Sequence, residues 1–545
     1  RGTWDFLRRK SLRSDSLCNL KFSMFALGDS TYEKFCAAGR RLSKRLEQLG
    51  AEAMTPFSFG DEQGDGGIFK ALDSWFESLT AEFKRQKLLQ LSSNATNKYS
   101  PKEVAFKISD GESCLDSMCE YYQGLVGSEY ISKGIRYGHL LEAELADKRR
   151  LTDAEHFQNV LHIELRVEGA RYDAGDVVLI HPENDPEKVK EFARFMGFDL
   201  ERQIAIAPSI SAANEVLSND PIIDSIFLSR ETKFSDHFPK SCSVKQLLTR
   251  CLDILGVPRR SFFEKLIPFA KNLEEREKLI ELSEPQGADL LHEYCAREKR
   301  TYLEVLRDFP SCKMSLERIL ELVPKLQPRS FSIASCHQNG QIDVCVAVVK
   351  YKTRLKRTKT GVCSSWLEKI NENERVYLSI QKGSFKVPEV SSPVIMIGPG
   401  TGIAPMRSII QKRSIQDGTN KINNVLFFGC RFESKDYLYK SELEELKMKG
   451  KISLFTAFSR EEIGEGGGKV YVQHLIRKQG KAISKLLLEQ DTHIFVSGRA
   501  NQMPSDVRKA LCEVLANSGK MDLKDASAFL KKMESKGRYQ IEAWS

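Results

Sequence analysis

A chain of 545 residues is too long for one hydrophobic core, so about two to four domains are expected. Its 83 Lys and Arg against 74 Asp and Glu leave a formal charge of +9, but the two signs are interleaved. With no basic tract, zinc-finger spacing or RNA-recognition sheet, no nucleic-acid role is expected. The 13 cysteines stand singly without a C-x-x-C pair, the pattern of a reduced, cytoplasmic protein rather than a disulfide framework. The nine histidines form no H-E-x-x-H or similar pairing, so no metal site is expected. No apolar run approaches transmembrane length. The opening RGTWDFLRRKSLR has neither an apolar signal region nor an initiator Met, and the chain is expected to be an N-terminally truncated fragment.

FSMFALGDSTYEKF, residues 22–35, reads as a strand, a polar turn and the start of a helix that runs to about Leu49 and stops at Gly50. AMTPFSFGDEQGDGG repeats the strand and loop, and IFKALDSWFESLTAEFKRQ supplies an amphipathic helix. Such units predict a parallel doubly wound sheet, of which residues 1–85 make only part of a usual domain. Residues 86–145 are polar and weakly periodic, which predicts a linker carrying a strand or two, EVAFKI (103–108) among them. VLHIELRV and GDVVLIHP open a run of short alternating strands typical of an antiparallel barrel, expected over 146–390. Within it the pattern turns helical from about 243 to 323, then strands return with RSFSIAS, IDVCVAVVKY and RVYLSIQ. An insertion inside one barrel fits this order, because the strands on either side lack enough partners alone. From 391 to 545 strands and helices alternate, predicting a second doubly wound sheet.

Three segments carry chemistry. VIMIGPGTGIAPMRS (394–408) runs from buried strand through three glycines into a helix, an order that suits a phosphate group near backbone amides and a helix N-terminus. It breaks the G-x-G-x-x-G spacing, since Ile403 stands where the third glycine belongs and Gly402 falls one position early, so an ordinary strand-to-helix connection is the competing reading. In RSFSIAS (329–335) alternation puts Arg329, Phe331 and Ile333 on one face and Ser330, Ser332 and Ala334 on the other; a plain barrel strand is the alternative. GVCSSWL (361–367) opens a helix with a Gly and hydroxyls, which suits a diphosphate or plain N-capping by Ser364 or Ser365.

RSFSIAS, GVCSSWL, GPGTGIAP, FFGCR, AFSRE, KVYVQH and a terminal aromatic follow one another in this order, and on them the chain resembles the diflavin reductases. That family joins a flavodoxin-like FMN domain to a ferredoxin-NADP reductase-like module for FAD and NADPH. VPRRSFFE (257–264), EREKLIELS (275–283), TYLEVLRDFP (301–310), VVKYKTRLK (348–356) and GVCSSWL look closest to the branch that serves cytosolic iron–sulfur cluster assembly. The microsomal haemoprotein reductases are the nearest rival, and a single-flavin NADPH reductase is a further alternative.

The resemblance implies a multidomain α/β chain with a central FAD barrel and an electron path from NADPH to FAD, FMN and a protein acceptor, an anamorsin-like iron–sulfur protein. It implies that Arg329 grips the FAD diphosphate, Phe331 stacks on the flavin, Ser332 bonds near flavin N5, and Gly361, Val362 and Ser364 close the diphosphate. Gly398, Gly400, Thr401 and Gly402 are implied at the NADPH diphosphate with Arg431 near it; Ser459, Arg460, Lys469, Tyr471 and Gln473 at the 2'-phosphate; and Asp506 at the same nucleotide. IGEGGG (463–468) makes the loop before Lys469 longer than in relatives. Trp544 is implied to cover the FAD ring and to swing aside for nicotinamide. Glu542 stands where microsomal relatives have Asp and Ser497 where they have Cys; with Ser332 they are implied to form a polar network. Gly28, Asp29, Thr31 and Tyr32 match one FMN loop, and Gly60, Asp61 and Glu62 the other. The flavodoxin phosphate loop has no counterpart, so this chain is expected to bind FMN poorly and the complete protein to bind it.

Overall fold

A computed structural model describes residues 2–30, 35–62, 67–86, 104–112, 115–126, 129–132, 135–208, 238–336, 340–416, 423–461 and 468–544. They belong to two compact units. One comprises Arg1–Glu103, Leu255–Val323 and Thr353–Arg357; the other comprises Val104–Ile254, Pro324–Lys352 and Thr358–Ser545.

In the first unit, Phe25–Gly28 pairs in parallel with Ser58–Asp61, and Lys21–Phe22 with Glu52–Ala53. The helices Ala37–Gln48 and Gly67–Arg85 follow these strands, giving the β-loop-α order expected of a flavodoxin-like fragment. The helical residues Leu255–Val323, read from sequence as an insertion within the barrel, group with this unit. A link inside it is the bidentate ion pair of Arg260 with Asp73 on the helix Gly67–Arg85.

The second unit holds the barrel. Its six strands run in the order Arg329–Ser332, Val177–Ile180, Arg375–Gln381, Leu140–Arg150, Val160–Arg166 and Gln341–Ala347, every neighbouring pair antiparallel. A bridge between Ile333 and Val344 joins the two outer strands. Alternation sends Leu145, Ile163, Leu165, Val178, Ile180, Val344, Val376 and Leu378 inward, all fully buried.

In the stretch 86–145, read as a linker carrying a strand or two, the described residues from Val104 onward include regular elements. Phe106–Asp110 pairs with Gln203–Pro208, the helix Leu115–Val126 follows, and a barrel strand already begins at Leu140. Its polar composition hides the reason: Tyr121, Tyr122 and Tyr137 are fully buried, and few large rings do the work of many small apolar residues.

After Pro393 the expected doubly wound sheet appears, with strands in the order Ser453–Phe458, Asn424–Cys430, Val394–Ile397, His493–Arg499 and Tyr539–Trp544, all parallel. Both faces are covered, so its strands are continuous apolar runs. Met396, Leu426, Phe428 and Phe495 pack with the helix Ile403–Gln416, whereas Ile395, Ile397, Phe427, Ile494 and Val496 pack with residues of the helices Met503–Ala516 and Leu523–Ser535. Strand order reverses between Val394–Ile397 and His493–Arg499, the place where open α/β sheets bind ligands.

His181 follows the barrel strand Val177–Ile180 and is 3 % exposed, its ring 4.6 Å from that of Tyr122. Burial lowers its pKa to about 4. The folded state therefore keeps the imidazole neutral, while the unfolded chain takes up a proton near the usual 6.5. The stabilisation is complete above pH 6.5 and falls between 6.5 and 4, by up to about 1.4 kcal/mol per pH unit. A His181→Phe chain is expected to show a flatter acid limb of denaturation midpoint against pH than the parent; parallel limbs would contradict this.

Candidate active site at the switch point of the parallel sheet

The glycine turn sits at the end of the strand Val394–Ile397. A Cβ on Gly402 would lie 2.1 Å from the carbonyl oxygen of Ser497, and one on Gly398 would lie 2.6 Å from the carbonyl oxygen of Gly402. Both are glycines because backbone packs on backbone. Gly400 is different: its φ is +57°, and a Cβ there would meet nothing within 4 Å, so it borders open space. The helix Ile403–Gln416 begins directly after this turn with no acidic residue in its first turn. Free amides at a helix start beside open space and without a competing carboxylate suit a diphosphate.

Across the switch point, Ser332 Oγ donates to Glu542 Oε1 at 2.6 Å, and Ser384 Oγ donates to Glu542 Oε2 at 3.1 Å. Ser497 lies opposite Glu542 in the parallel register, and Arg499 opposite Trp544, which is 37 % exposed. The Ser497 hydroxyl is fully buried and has no hydrogen-bond partner among the described residues. The expected network thus joins Ser332 and Glu542 directly, while the Ser497 hydroxyl makes no hydrogen bond to either among the described residues.

On the barrel, Arg329 donates to the Gln327 carbonyl and makes no ion pair among the described residues. Phe331 is half-buried against the barrel core. Gly361 caps the helix Val362–Lys369, where a Cβ would lie 2.9 Å from both Ser364 Oγ and Val349 Cβ. Neither Ser364 nor Ser365 caps that helix: both lie inside it, and Ser364 Oγ accepts from Val349 N at 3.0 Å. Burial pushes the Cys363 thiol up to about 12, with the Arg329 cation opposing, so Arg329 and this helix start share one neighbourhood.

At the neighbouring strand ends, Ser459 N donates to Cys430 O at 3.0 Å and Arg460 N to Arg431 O at 2.9 Å. Gln473 Nε2 donates to Asp506 Oδ2 at 3.3 Å, while Lys469 and Tyr471 are exposed. Burial raises the Cys430 thiol far above its usual range, so it stays protonated. Of the IGEGGG loop only Gly468 lies within the described residues.

In the first unit, Glu62 N donates to Gly28 O and Ser30 N to Asp61 Oδ1, both at 2.9 Å, so the loops holding Asp29 and Gly60 meet. Thr31 and Tyr32 lie outside the described residues.

Family models match along the chain: flavodoxin over residues 2–75, FAD binding domain over 136–366 and oxidoreductase NAD-binding domain over 396–509. NADPH-dependent diflavin oxidoreductase 1 of Danio rerio is 39 % identical over 99 % of this chain and 88 % of its own length. The proteins of that name from Schizosaccharomyces pombe and Arabidopsis thaliana are 32 % and 31 % identical over 100 % and 99 % of this chain, again over 88 % of their own lengths. The chain belongs to the NADPH-dependent diflavin oxidoreductases. It is an oxidoreductase whose cofactors are FAD, FMN and NADPH.

Sequence reasoning missed several residues of this diflavin oxidoreductase site. Ser384 carries no motif of its own. Arg407, Ser408 and Gln411 tie the helix Ile403–Gln416 to the segment after Ser332: Arg407 donates to Ala334 O at 2.8 Å, Ser408 to Ser335 O at 2.6 Å, and Gln411 accepts from Cys336 N at 3.0 Å. The one available signal was that Arg407 and Ser408 are the first polar positions of the helix directly after the glycine turn.

Gly402→Ala is expected to lower the thermal midpoint and to weaken NADP+ binding at least tenfold, because a methyl group cannot coexist with the Ser497 carbonyl unless the turn moves. Gly400→Ala is expected to cost only about 1–2 kcal/mol from its left-handed backbone. Titration and thermal melts check both.

Proposed function

We propose that the Ser332–Glu542 contact marks where hydride passes between nicotinamide and flavin, and that the electrons go on to an anamorsin-like iron–sulfur protein in cytosolic cluster assembly. The observation that carries the first part is a single carboxylate on the last strand of the parallel sheet accepting from two barrel hydroxyls, Ser332 and Ser384. When bound, FAD accepts a hydride from NADPH and FMN releases the electrons singly.

Ser332 donates its proton to Glu542, so its oxygen would keep lone pairs for the N–H that a bound flavin gains on reduction. Glu542 sets a negative charge where nicotinamide turns cationic, and this charge is in place before reaction. Ser497 offers its unpartnered hydroxyl to the same ring. Trp544 covers the flavin until nicotinamide displaces it.

Arg329, with Gly361, Val362 and Ser364, holds the FAD diphosphate, and Phe331 stacks on its ring. Gly398, Gly400, Thr401 and Gly402 receive the NADPH diphosphate. Ser459, Arg460, Lys469, Tyr471 and Gln473 select the 2'-phosphate, with Arg431 beside the diphosphate and Asp506 orienting Gln473. Gly28, Asp29, Thr31, Tyr32, Gly60, Asp61 and Glu62 serve FMN.

The iron–sulfur acceptor is supported by the five segments that resemble that branch. A cytoplasmic location is supported by the cysteines, every one of which is free among the described residues.

Stopped-flow reduction of the FAD-loaded chain by NADPH tests the site. Ser332→Ala and Glu542→Gln are expected to slow flavin reduction about tenfold to a thousandfold, as loss of a preorganised group does, with less change in KM. Rates within twofold of the parent would remove both residues from the reaction. Arg460→Ala is expected to raise KM for NADPH about tenfold and leave NADH use nearly unchanged. For the acceptor, NADPH-driven reduction of a purified iron–sulfur protein of the anamorsin kind is expected to outrun that of a microsomal haem protein, and the reverse order would overturn the assignment.

A further inference from the structure

Residues 151–159 connect the barrel strands Leu140–Arg150 and Val160–Arg166 and include Phe157, a phenyl ring 67 % exposed. A loop with an exposed aromatic is ordinarily loose, but this one is tied at many points. Arg150 donates to the carbonyls of Asp153 and His156 at 2.7 and 3.1 Å, and Thr152 donates to Gln158 O at 3.0 Å. It also docks on the parallel-sheet domain of the same unit. Asp153 N donates to Lys435 O at 2.8 Å, and the buried His156 imidazole lies 3.9 Å from Asp436. The Asp436 carboxylate in turn accepts the amides of Arg431 and Phe432 at 2.9 and 2.7 Å.

Above the Phe157 ring stands Arg431, its guanidinium carbon 4.2 Å from the ring centre. Among the described residues this guanidinium makes no ion pair and no side-chain hydrogen bond. Its neighbours are Ser459 and Arg460, through the backbone bonds at Cys430 and Arg431. A guanidinium stacked on an aromatic face keeps its in-plane N–H donors free, and stacking removes rotamer freedom that binding an anion otherwise has to remove.

We infer that Phe157 is a positioning residue of the nucleotide site contributed by the barrel, holding the Arg431 guanidinium ready for a phosphoryl group of NADPH. The inference rests on the reading of Arg431 as a nucleotide residue and adds its partner in the other domain. It also makes nucleotide affinity depend on barrel residues far from the glycine turn in sequence.

The test uses the whole FAD-loaded chain, with NADP+ titration and steady-state kinetics on Phe157→Leu, Phe157→Tyr, Arg431→Ala and the Phe157→Leu/Arg431→Ala pair. Phe157→Leu keeps an apolar side chain but no π face, and the exposed position leaves folding unaffected. It is expected to weaken NADP+ roughly two- to fivefold, the size of a cation–π contact at an exposed site, with the loss in KM rather than kcat. Phe157→Tyr is expected to restore parental affinity, and Phe157→Leu to add nothing once Arg431 is alanine. Parental affinity in Phe157→Leu, or a loss that adds fully to that of Arg431→Ala, would overturn the inference while leaving Arg431 in its role. Unchanged affinity in Arg431→Ala would instead overturn the nucleotide reading of Arg431 and the platform with it. Repeating the titration with 2',5'-ADP and 5'-ADP separates the phosphoryl sources: a loss confined to the former assigns the 2'-phosphate, an equal loss the 5'-phosphoryl group that both carry, and a loss confined to 5'-ADP the second phosphoryl group of the diphosphate.

Discussion

The Glu542 carboxylate has both oxygens taken by barrel hydroxyls, and the rest of the second unit is arranged to keep it so. Ser332 reaches it from the end of an outer barrel strand, whereas Ser384 reaches it from a turn that needs its own anchor. That anchor is Asp176, which is 4 % exposed and accepts from Gly383 N at 3.1 Å, Asp173 N at 2.8 Å and the Tyr137 hydroxyl at 2.8 Å. Burial raises the Asp176 carboxyl despite these three donors, the cost of holding a charge inside to fix a turn. Gly383 passes so near the Gly175 carbonyl that a Cβ would lie 1.6 Å from it, and no side chain fits there. A rigid turn, rather than a long side chain, therefore presents the Ser384 hydroxyl.

A second fastening lies behind the glycine turn. Arg407 donates to Glu442 at 2.7 Å and Asp343 at 2.9 Å as well as to Ala334 O, so one guanidinium bridges a helix, a barrel strand and the residues after Ser332. Buried ion pairs add little net stability, since desolvation offsets attraction, but their directionality fixes a register that apolar packing leaves free to slide. Arg413 works likewise on the connection between the domains. Fully buried, it donates to Asn424 Oδ1 at 2.7 Å and to the carbonyls of Pro388, Glu389, Val390 and Ser392. The glycine turn and the strand Arg329–Ser332 are thus held in one frame by backbone carbonyls that no substitution can remove.

The parts legible in the sequence are those where local chemistry and tertiary role coincide. GPGTG announces itself because the close backbone approach at Gly398 and Gly402 permits glycine alone. Alternation disclosed the barrel and the parallel sheet for the same reason: burial on one face or on both is written residue by residue. Ser384, Arg407 and Asp176 were not legible, since their partners lie 158, 64 and 207 positions away at Glu542, Asp343 and Gly383. In the stretch 86–145, read as a linker with a strand or two, the strand Phe106–Asp110 was legible, whereas the helix Leu115–Val126 was not, because three buried tyrosines outweigh the many lysines and serines around them. Grouping of the helices 255–323 with the N-terminal unit also escaped, because it depends on contacts such as Arg260–Asp73 that no local pattern encodes.

Ser497 carries the last step. A buried hydroxyl without a partner costs about 1–3 kcal/mol, and a thiol of similar size at the same place costs less because it behaves as a small hydrophobe. Folding alone thus favours cysteine there, the residue that the microsomal reductases carry. Under the proposed function, the serine beneath Gly402 and one strand from Glu542 gains its missing hydrogen bond when nicotinamide is in place. The same reasoning fits the stacked Arg431 and the open space at Gly400. Under the proposed function, the guanidinium edge, the open space and the buried hydroxyl are the places left for the nucleotide's phosphates and reacting ring.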